Sequence, residues 1–351
     1  MLEIGPGHAP FPTAPDATVT YCDRSVAGGR DANWPELAGQ PHGPEAHLQR
    51  DLDRDGLQGV GDGSFDAVVA SHLIEHLANP VAALCEFERV LRPGGRLVLI
   101  VPDRTRTFDA VRQPTPVDHV FGDYERRVTE VDDDHIREFC AAIYHQPPIH
   151  PDEVRQWHDP DRLDAERMAL HRRRSIHVHC WTPPEFAALI AMGLARGVMS
   201  WNLCDLYLAD DPGDQPDNEF GLVLERPSDA LDPAARSAAF VDAWARNVLG
   251  RPDREASRAA AAVVALGGAL HGPPELAPAL AALQACLGEE LAATRARAAA
   301  ATERAVAAEG RVEGLVRRAA EAEAARRAIV ASRSYRVSRL LAGALRRARG
   351  R

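Results

Sequence analysis

The feature that most constrains the fold is an alternation of short β-type runs with helical patterns, which continues to about Pro227 and then stops. Alternating strands and helices are the order of a parallel sheet wrapped by helices on both faces. Beyond Pro227 the sequence is alanine-rich, helical and interrupted at Gly267-Gly268 and Gly272-Pro273-Pro274. We therefore predict an α/β fold followed by an α-helical C-terminal region. The candidate strands are Met1 to Ile4, Thr18 to Cys22, Phe65 to Ala70, Arg96 to Val101, Val198 to Leu208 and Phe220 to Leu224.

Changes in composition along the chain divide it into three predicted parts. Residues 1–228 form the α/β domain, with an insertion or lid at about 103–180 that is rich in histidine, arginine, proline and acid. Residues 229–286 form a helical region. Residues 287–351 form a long helix rich in alanine and arginine, which is at most a weak coiled coil because its apolar positions are mainly alanine.

Overall charge and the cysteines exclude some classes of protein. The net charge is −10, so we expect no general attraction to nucleic acid. The six cysteines have no paired short spacing, which argues against a zinc knuckle or a disulfide scaffold. We find no secretory signal and no apolar run long enough to cross a bilayer, so the expected compartment is the cytoplasm.

A glycine loop near the N-terminus is the first candidate ligand site. In Glu3-Ile4-Gly5-Pro6-Gly7 a strand that carries an acid runs into Gly-x-Gly, which lets the backbone approach a ligand closely. A dinucleotide fingerprint would need a third glycine where Pro10 stands. The loop therefore disfavours NAD and FAD.

Ordered motifs extend this loop into a family resemblance. Residues 1–9 resemble the first motif of class I S-adenosylmethionine (SAM)-dependent methyltransferases of the type 11/23 kind, with Ala9 at the third glycine. Residues 62–77 and 90–97 look like the fourth-strand and fifth-strand motifs of the same enzymes. The resemblance implies a Rossmann-like sheet and SAM as cofactor. Met1 would stand where a longer chain has valine, so we expect that the chain could begin further upstream.

The same resemblance implies a set of cofactor-binding residues. Asp23, at the end of the second strand, would accept hydrogen bonds from the ribose hydroxyls. Asp53, preferred over Asp51 and Asp55, would lie near the adenine. The cofactor-binding candidates are Glu3, Gly5, Gly7, Asp23, Asp53, Ser71 and His72.

Histidines of the insertion are the candidates for catalysis. They could supply a general base or, with the acids at 132–134, bind a metal, but a polar, solvated lid explains most single histidines better. We therefore predict no metal. Residues 175–183 resemble a segment of bacterial methyltransferases linked to surface-glycan synthesis, and His177 and His179 would face the same side of an extended strand. We rank His179, His177 and His135 first, although many methyl transfers need only alignment of the acceptor.

The C-terminal tail is basic and amphipathic. Its apolar stripe beside arginines fits equally well a membrane-surface helix and a helix packed on a partner chain. Residues 332–341 also resemble the end of coiled-coil tails attached to bacterial glycosyltransferases. We expect peripheral contact with the inner face of the membrane or glycosyltransferase partners.

These expectations combine into a predicted function. The chain would be a SAM-dependent methyltransferase that O-methylates a sugar or glycan in cell-surface polysaccharide synthesis. The alternatives are methylation of a small molecule or a lipid-linked intermediate, and a SAM-fold scaffold that recruits glycan enzymes through its helical tail.

Overall fold

The computed structural model describes residues 1–7, 9–24, 43–144, 158–209, 217–250 and 256–331. Within them, seven strands form one sheet in the order β3-β2-β1-β4-β5-β7-β6. The strands are β1 Leu2–Ile4, β2 Thr20–Asp23, β3 Leu48–Gln49, β4 Phe65–Ser71, β5 Leu91–Pro102, β6 Asn202–Tyr207 and β7 Glu219–Glu225. The pairings among β1 to β5 are parallel, whereas β7 runs antiparallel to both β5 and β6. This confirms the predicted Rossmann-like α/β fold.

The largest differences from the predicted strands are at β3, β5 and β6. The two residues of β3 are too few to leave a pattern in the sequence. Strand β5 begins at Leu91 because that residue already pairs with Phe65, ahead of a register shift in the ladder. Strand β6 begins at Asn202 and not at Val198, because the N–H groups of Val198 and Ser200 donate outside the sheet. Their acceptors are the Gly193 carbonyl and a Glu88 oxygen.

Nine α-helices lie in the described residues. They are α1 Leu52–Asp55, α2 Pro80–Val90, α3 Val117–Arg126, α4 Asp133–Tyr144, α5 Ala165–Arg174, α6 Pro183–Ala195, α7 Pro233–Gly250, α8 Ala256–Ala269 and α9 Ala277–Ala331. Helix α2 begins with a proline in its first turn, and the Asn79 side chain accepts the Ala82 N–H at 3.1 Å. Helix α6 begins with a Thr182/Glu185 capping box and is buried along nearly its whole length.

Two apolar clusters hold these elements together. The larger joins the sheet to α2, α6, α7 and α8, and its biggest buried side chains include Trp181, Trp201 and Trp244. The smaller lies within the insertion, where Ile136, Phe139 and neighbouring side chains pack between α4, α5 and residues 176–178. The insertion thus has a core of its own, which fixes the segment that carries the candidate histidines.

The chain separates into two compact units, Met1–Leu287 and Gly288–Arg351. The first turns of α9 belong to the first unit, where Ala279, Leu283 and Cys286 are buried.

By length and composition the stretch Pro274–Ala301 is apolar enough to cross a membrane, contrary to our expectation, because its alanines raise the mean hydropathy to 1.2. A single helix of this kind is weak evidence, since core helices meet the same criterion. The basic tail from residue 332 lies outside the described residues.

Candidate active site

The loop after β1 presents bare backbone at the carboxyl edge of the sheet. The Gly5 N–H donates to the Cys22 carbonyl at 2.8 Å, which anchors the start of the loop. Gly5 and Gly7 have φ angles of 64° and 54°, a region that favours glycine. A Cβ on Gly7 would meet no heavy atom within 4 Å, so the loop borders open space in which a ligand can approach the main chain.

Glu3 supports this loop and leaves one acceptor unused. Its side chain is buried, and Oε1 accepts the Phe11 N–H at 2.7 Å. Oε2 is also buried, and it has no hydrogen bond to any of the described residues. Burial raises the pKa of this carboxyl. Buried acceptors normally have partners, so an unpaired oxygen beside an open glycine loop fits a ligand with an N–H or O–H donor, such as the ammonium group of SAM.

Asp23 lies level with this loop. Strand β2 pairs with β1 so that Cys22 is opposite Ile4, which places Asp23 beside Gly5 at the same edge of the sheet. Its backbone carbonyl accepts the Arg50 N–H at 3.0 Å. The predicted ribose acceptor is therefore next to Gly5, one of the predicted cofactor-binding glycines, as one bound SAM molecule requires.

Ser71 and His72 complete this edge from the β4 side. Ala70 is opposite Ile4, so Ser71 is also level with Gly5. His72 has a left-handed backbone with φ of 48°, and its Nε2 is 2.7 Å from an oxygen of Glu219. The other Glu219 oxygen accepts the Tyr207 hydroxyl at 2.9 Å. The hydrogen bond to Glu219 raises the pKa of His72.

Glu219 and Tyr207 are functional candidates that sequence reasoning missed. Nothing local marks them, because they reach His72 only through the pairing of β6 with β7 and of β7 with β5. Glu219 holds the His72 ring through a hydrogen bond, and Tyr207 in turn donates a hydrogen bond to Glu219. His72 is therefore a tethered side chain, and its contact with cofactor stays a prediction.

Asp53 has a structural contact that the sequence did not predict. Its two carboxylate oxygens accept the N–H groups of Ala78 and Asn79, at 2.9 and 3.0 Å, just before α2 begins. Burial raises its pKa to about 6. The predicted adenine contact of Asp53 stays a prediction, and Asp51 lines the same cavity.

A cavity of about 510 Å³ opens beside the carboxyl ends of β2 and β3. Charged and polar side chains dominate its lining, and Val131 is the apolar residue among them. The lining residues are Arg24, Gln49, Arg50, Asp51, Asp53, Arg54, Asp55, His76, Thr129, Glu130, Val131, Arg172, Arg173 and Ser175. The cavity suits a polar ligand rich in hydrogen-bonding groups.

His177 forms an acid–histidine pair. Its Nδ1 is 2.6 Å from a carboxylate oxygen of Asp109, which is buried. Arg112 donates to the other Asp109 oxygen and to the His177 carbonyl, both at 2.8 Å. Burial alone would raise the pKa of Asp109, but His177 and Arg112 outweigh it and hold that pKa below its ordinary value. Asp109 therefore remains a carboxylate that orients the ring.

The His177 ring faces the residues that follow β4. Its centroid is 4.8 Å from that of His76, whose Nδ1 is 2.9 Å from the Ile176 carbonyl. Burial lowers the pKa of His76 to about 3. Glu75 is buried, neither of its carboxylate oxygens has a hydrogen bond from another described residue, and burial raises its pKa. Glu75, His76 and His177 each offer a ligand atom within 4.8 Å of the others, so they form one polar group beside the cofactor edge.

The other two catalytic candidates lie in a second histidine cluster. His179 is fully buried, and burial lowers its pKa to about 3. A fully buried imidazole does not reach an acceptor in this conformation, so His179 fits the role of general base less well than His177. His135 packs with His119, their Nε2 atoms 2.9 Å apart. His145 and His150 lie outside the described residues.

The first part of the chain is similar to known proteins. Residues 2–99 match the family model of a methyltransferase domain. The chain is 42% identical over 69 residues to an uncharacterized 37.1 kDa protein in transposon TN4556 of Streptomyces fradiae, which is 20% of this chain and 19% of that protein. It is 39% identical over 70 residues to a ubiquinone biosynthesis O-methyltransferase of Xanthomonas oryzae pv. oryzae, or 18% of this chain and 28% of that enzyme. The matches span less than a third of these relatives.

Solved structures show a distant likeness. The chain is similar to a SAM-dependent methyltransferase from Methanosarcina mazei, with 15% identity, 65% of this chain and 92% of that chain covered, and a TM-score of 0.32. A putative methyltransferase from Bacillus halodurans gives 14% identity, 65% and 92% coverage and a TM-score of 0.30. Such values carry no argument about the reaction. Residues 2–99 are thus similar to a methyltransferase domain, and the strand order and the glycine loop within them agree with that match.

Proposed function

We propose that the chain is a SAM-dependent methyltransferase that transfers the methyl group to a hydroxyl oxygen of a sugar or glycan. The observation that carries the choice of oxygen is the Asp109–His177 pair beside the residues that follow β4. The insertion residues that line the cavity are mostly polar or charged, among them Thr129, Glu130 and Ser175, which supports a polyhydroxylated acceptor over an apolar one.

The residues of the chain have distinct parts in this reaction. Gly5, Gly7 and Asp23 would hold SAM, which supplies the methyl group when bound. His177 would accept the proton of the acceptor hydroxyl at Nε2, because its Nδ1 faces Asp109. Asp109 would hold the ring and stabilise the imidazolium that forms, as an orienting carboxylate does in other acid–histidine pairs.

A transfer assay with tritium-labelled SAM tests this proposal. The purified chain is incubated with free hexoses, a nucleotide-activated hexose, extracted bacterial glycans and, as the apolar comparator, a phenol. We expect label in an ether that survives mild alkali and is recovered as an O-methyl monosaccharide. Label confined to the phenol or to nitrogen would contradict the sugar acceptor.

Two variants test the base. His177→Asn and Asp109→Asn should lower the transfer rate about 10² to 10⁴-fold and leave SAM affinity unchanged. The matched control is His271→Asn, since this exposed histidine is in a different part of the chain. Full activity of His177→Asn would remove the residue from the chemistry. SAM binding without turnover on any acceptor would favour the scaffold alternative.

The proposed location and partners rest on the tail. A cytoplasmic enzyme with peripheral contact to the membrane, or with glycosyltransferases, would meet glycan intermediates where they are made. The basic amphipathic pattern of the tail supports this part of the proposal.

A further inference from the structure

We infer that His119, His135, His179 and Asp123 form a binding site for a zinc ion within the insertion. The four residues come from three places in the chain: His119 and Asp123 from α3, His135 from α4, and His179 from the segment before α6. Residues 2–99, which match the methyltransferase model, include none of them. None of the four is among the residues proposed to hold SAM, and one link to the cofactor edge is the His179 N–H, which donates to the Glu75 carbonyl at 3.1 Å.

The candidate ligand atoms lie close to one another. The Nε2 atoms of His119 and His135 are 2.9 Å apart, and Oδ2 of Asp123 is 3.2 Å from His119 Nε2. His119, His135 and His179 each offer a ring nitrogen within 4.8 Å of the other two. Tetrahedral zinc with bonds of about 2.1 Å would separate neighbouring ligand atoms by about 3.4 Å. The two short contacts would open by about 0.2 to 0.5 Å, whereas the His179 nitrogen, which lies within 4.8 Å of the other two, would move closer by up to about 1.4 Å.

Buried atoms without hydrogen bonds show that the protein alone does not satisfy this cluster. His179 is fully buried, and within the part of the chain that the structure describes neither of its ring nitrogens makes a hydrogen bond, although the Ala78 backbone lies near enough to interact weakly. Oδ2 of Asp123 is buried as well, and its neighbour among the described residues is the His119 ring, whose Nε2 is 3.2 Å away. Buried polar atoms are rarely left unpaired. A cluster of ordinary solvated histidines does not account for these atoms, whereas a bound cation would use them.

Outer contacts orient the ligands as they do in known zinc sites. Oδ1 of Asp132 is 2.9 Å from His135 Nδ1, so the Nε2 of that ring is left for the cluster. Arg126 donates to Oδ1 of Asp123 at 2.6 Å, which leaves Oδ2 for the cluster. Ligating histidines usually donate their second nitrogen to a carboxylate or a carbonyl, as His135 does here.

The ligand set selects the type of metal. Three imidazoles and one carboxylate suit zinc and related transition metals, whereas magnesium and calcium prefer oxygen. Four protein ligands would close the coordination shell, which is typical of a structural site. Zinc would then tie α3 and α4 to the segment that leads into α6. The His119 side chain, 39% exposed, gives the ion a way in.

The test measures metal content, geometry and stability of the full chain. After loading with zinc and dialysis, we expect one tightly held zinc per wild-type chain and a rise in melting temperature that a chelator reverses. The double variant His119→Gln/His135→Gln should lose this zinc and bind it at least tenfold more weakly. The matched control, His271→Gln, should keep it. Cobalt(II) in the wild type should give the strong visible absorption of a tetrahedral site.

Three outcomes would overturn the inference. One is a wild-type chain that retains no zinc after dialysis. Another is equal zinc in the double variant and in His271→Gln, which would place the metal at another cluster. The third is a cobalt spectrum without tetrahedral bands, which decides the question even where the double variant fails to fold.

Discussion

At the scale of single residues, Asp23 carries the sharpest prediction for the cofactor. It lies beside Gly5, where its carboxylate would accept both ribose hydroxyls. Charge-assisted hydrogen bonds are stronger than neutral ones, so Asp23→Ala should bind SAM about tenfold more weakly or worse. Isothermal titration calorimetry measures this affinity. Asp16→Ala, a change in an exposed turn, is the control, and equal affinity of the two variants would sink the assignment of Asp23.

The hydrogen bond between His72 and Glu219 predicts how the free energy of unfolding depends on pH. This hydrogen bond raises the folded-state pKa of His72. Folding therefore favours the charged imidazolium of His72. The hydrogen bond to Glu219 contributes its full stabilisation below the unfolded-state pKa of about 6.5. That stabilisation is lost as the pH rises through the higher folded-state pKa. The unfolding free energy lost in His72→Asn should therefore be larger at about pH 5.5 than at about pH 8.5.

Urea unfolding of wild type and variant at the two pH values measures that difference. Asparagine tolerates the left-handed backbone found at this position, so the substitution adds little strain. The effect should be modest because the side chain is 41% exposed. Glu219→Gln should remove the same pH dependence, and a loss that does not change with pH would show that the pair does not titrate as described.

Among single residues, those of the glycine loop could be predicted from sequence because glycine spacing and the preceding acid are local signals. The roles of His177 and His179 could not be separated in this way. Both alternate along one extended segment, yet Asp109 lies beside His177 whereas His119 and His135 surround His179. Those neighbours come from distant parts of the chain, which a local pattern does not encode.

At the scale of elements, the start of α2 depends on Asp53. Its carboxylate accepts two backbone N–H groups that would otherwise be unpaired at the helix entrance. Asp53→Ala should lower the free energy of unfolding by about 1 to 3 kcal/mol, measured by urea denaturation. Asp16→Ala is again the control. An equal, small loss in both variants would contradict the capping role.

Among elements, the longer strands and α2 could be predicted because hydrophobic periodicity and turn residues mark them. Strand β3 could not, since Leu48–Gln49 is too short to show a period. The helices of the insertion were missed although α3 and α4 are amphipathic: in α4, Ile136, Phe139 and Cys140 recur at helical spacing. Helix α4 packs in the small core around Ile136 and Phe139, whereas Phe121 of α3 packs in the larger cluster.

At the scale of the whole molecule, the basic tail gives a prediction that is independent of the active site. Arginine attraction to anionic lipid is electrostatic and is screened by salt. The intact chain should co-sediment with anionic vesicles at low salt and dissociate at high salt, whereas a chain truncated after Ala325 should not bind. Equal binding of both chains would contradict the membrane contact, and no binding by either would favour a helical partner.

The central claim is that the carboxyl edge formed by β1, β2 and β4 binds SAM. Calorimetric titration of the full chain with SAM, and separately with NAD, tests it most directly. We predict one SAM bound per chain, displaced by S-adenosylhomocysteine, and no heat of binding with NAD, because Pro10 replaces the glycine that a dinucleotide requires. Binding of NAD, or no binding of SAM by a folded chain, would contradict the account.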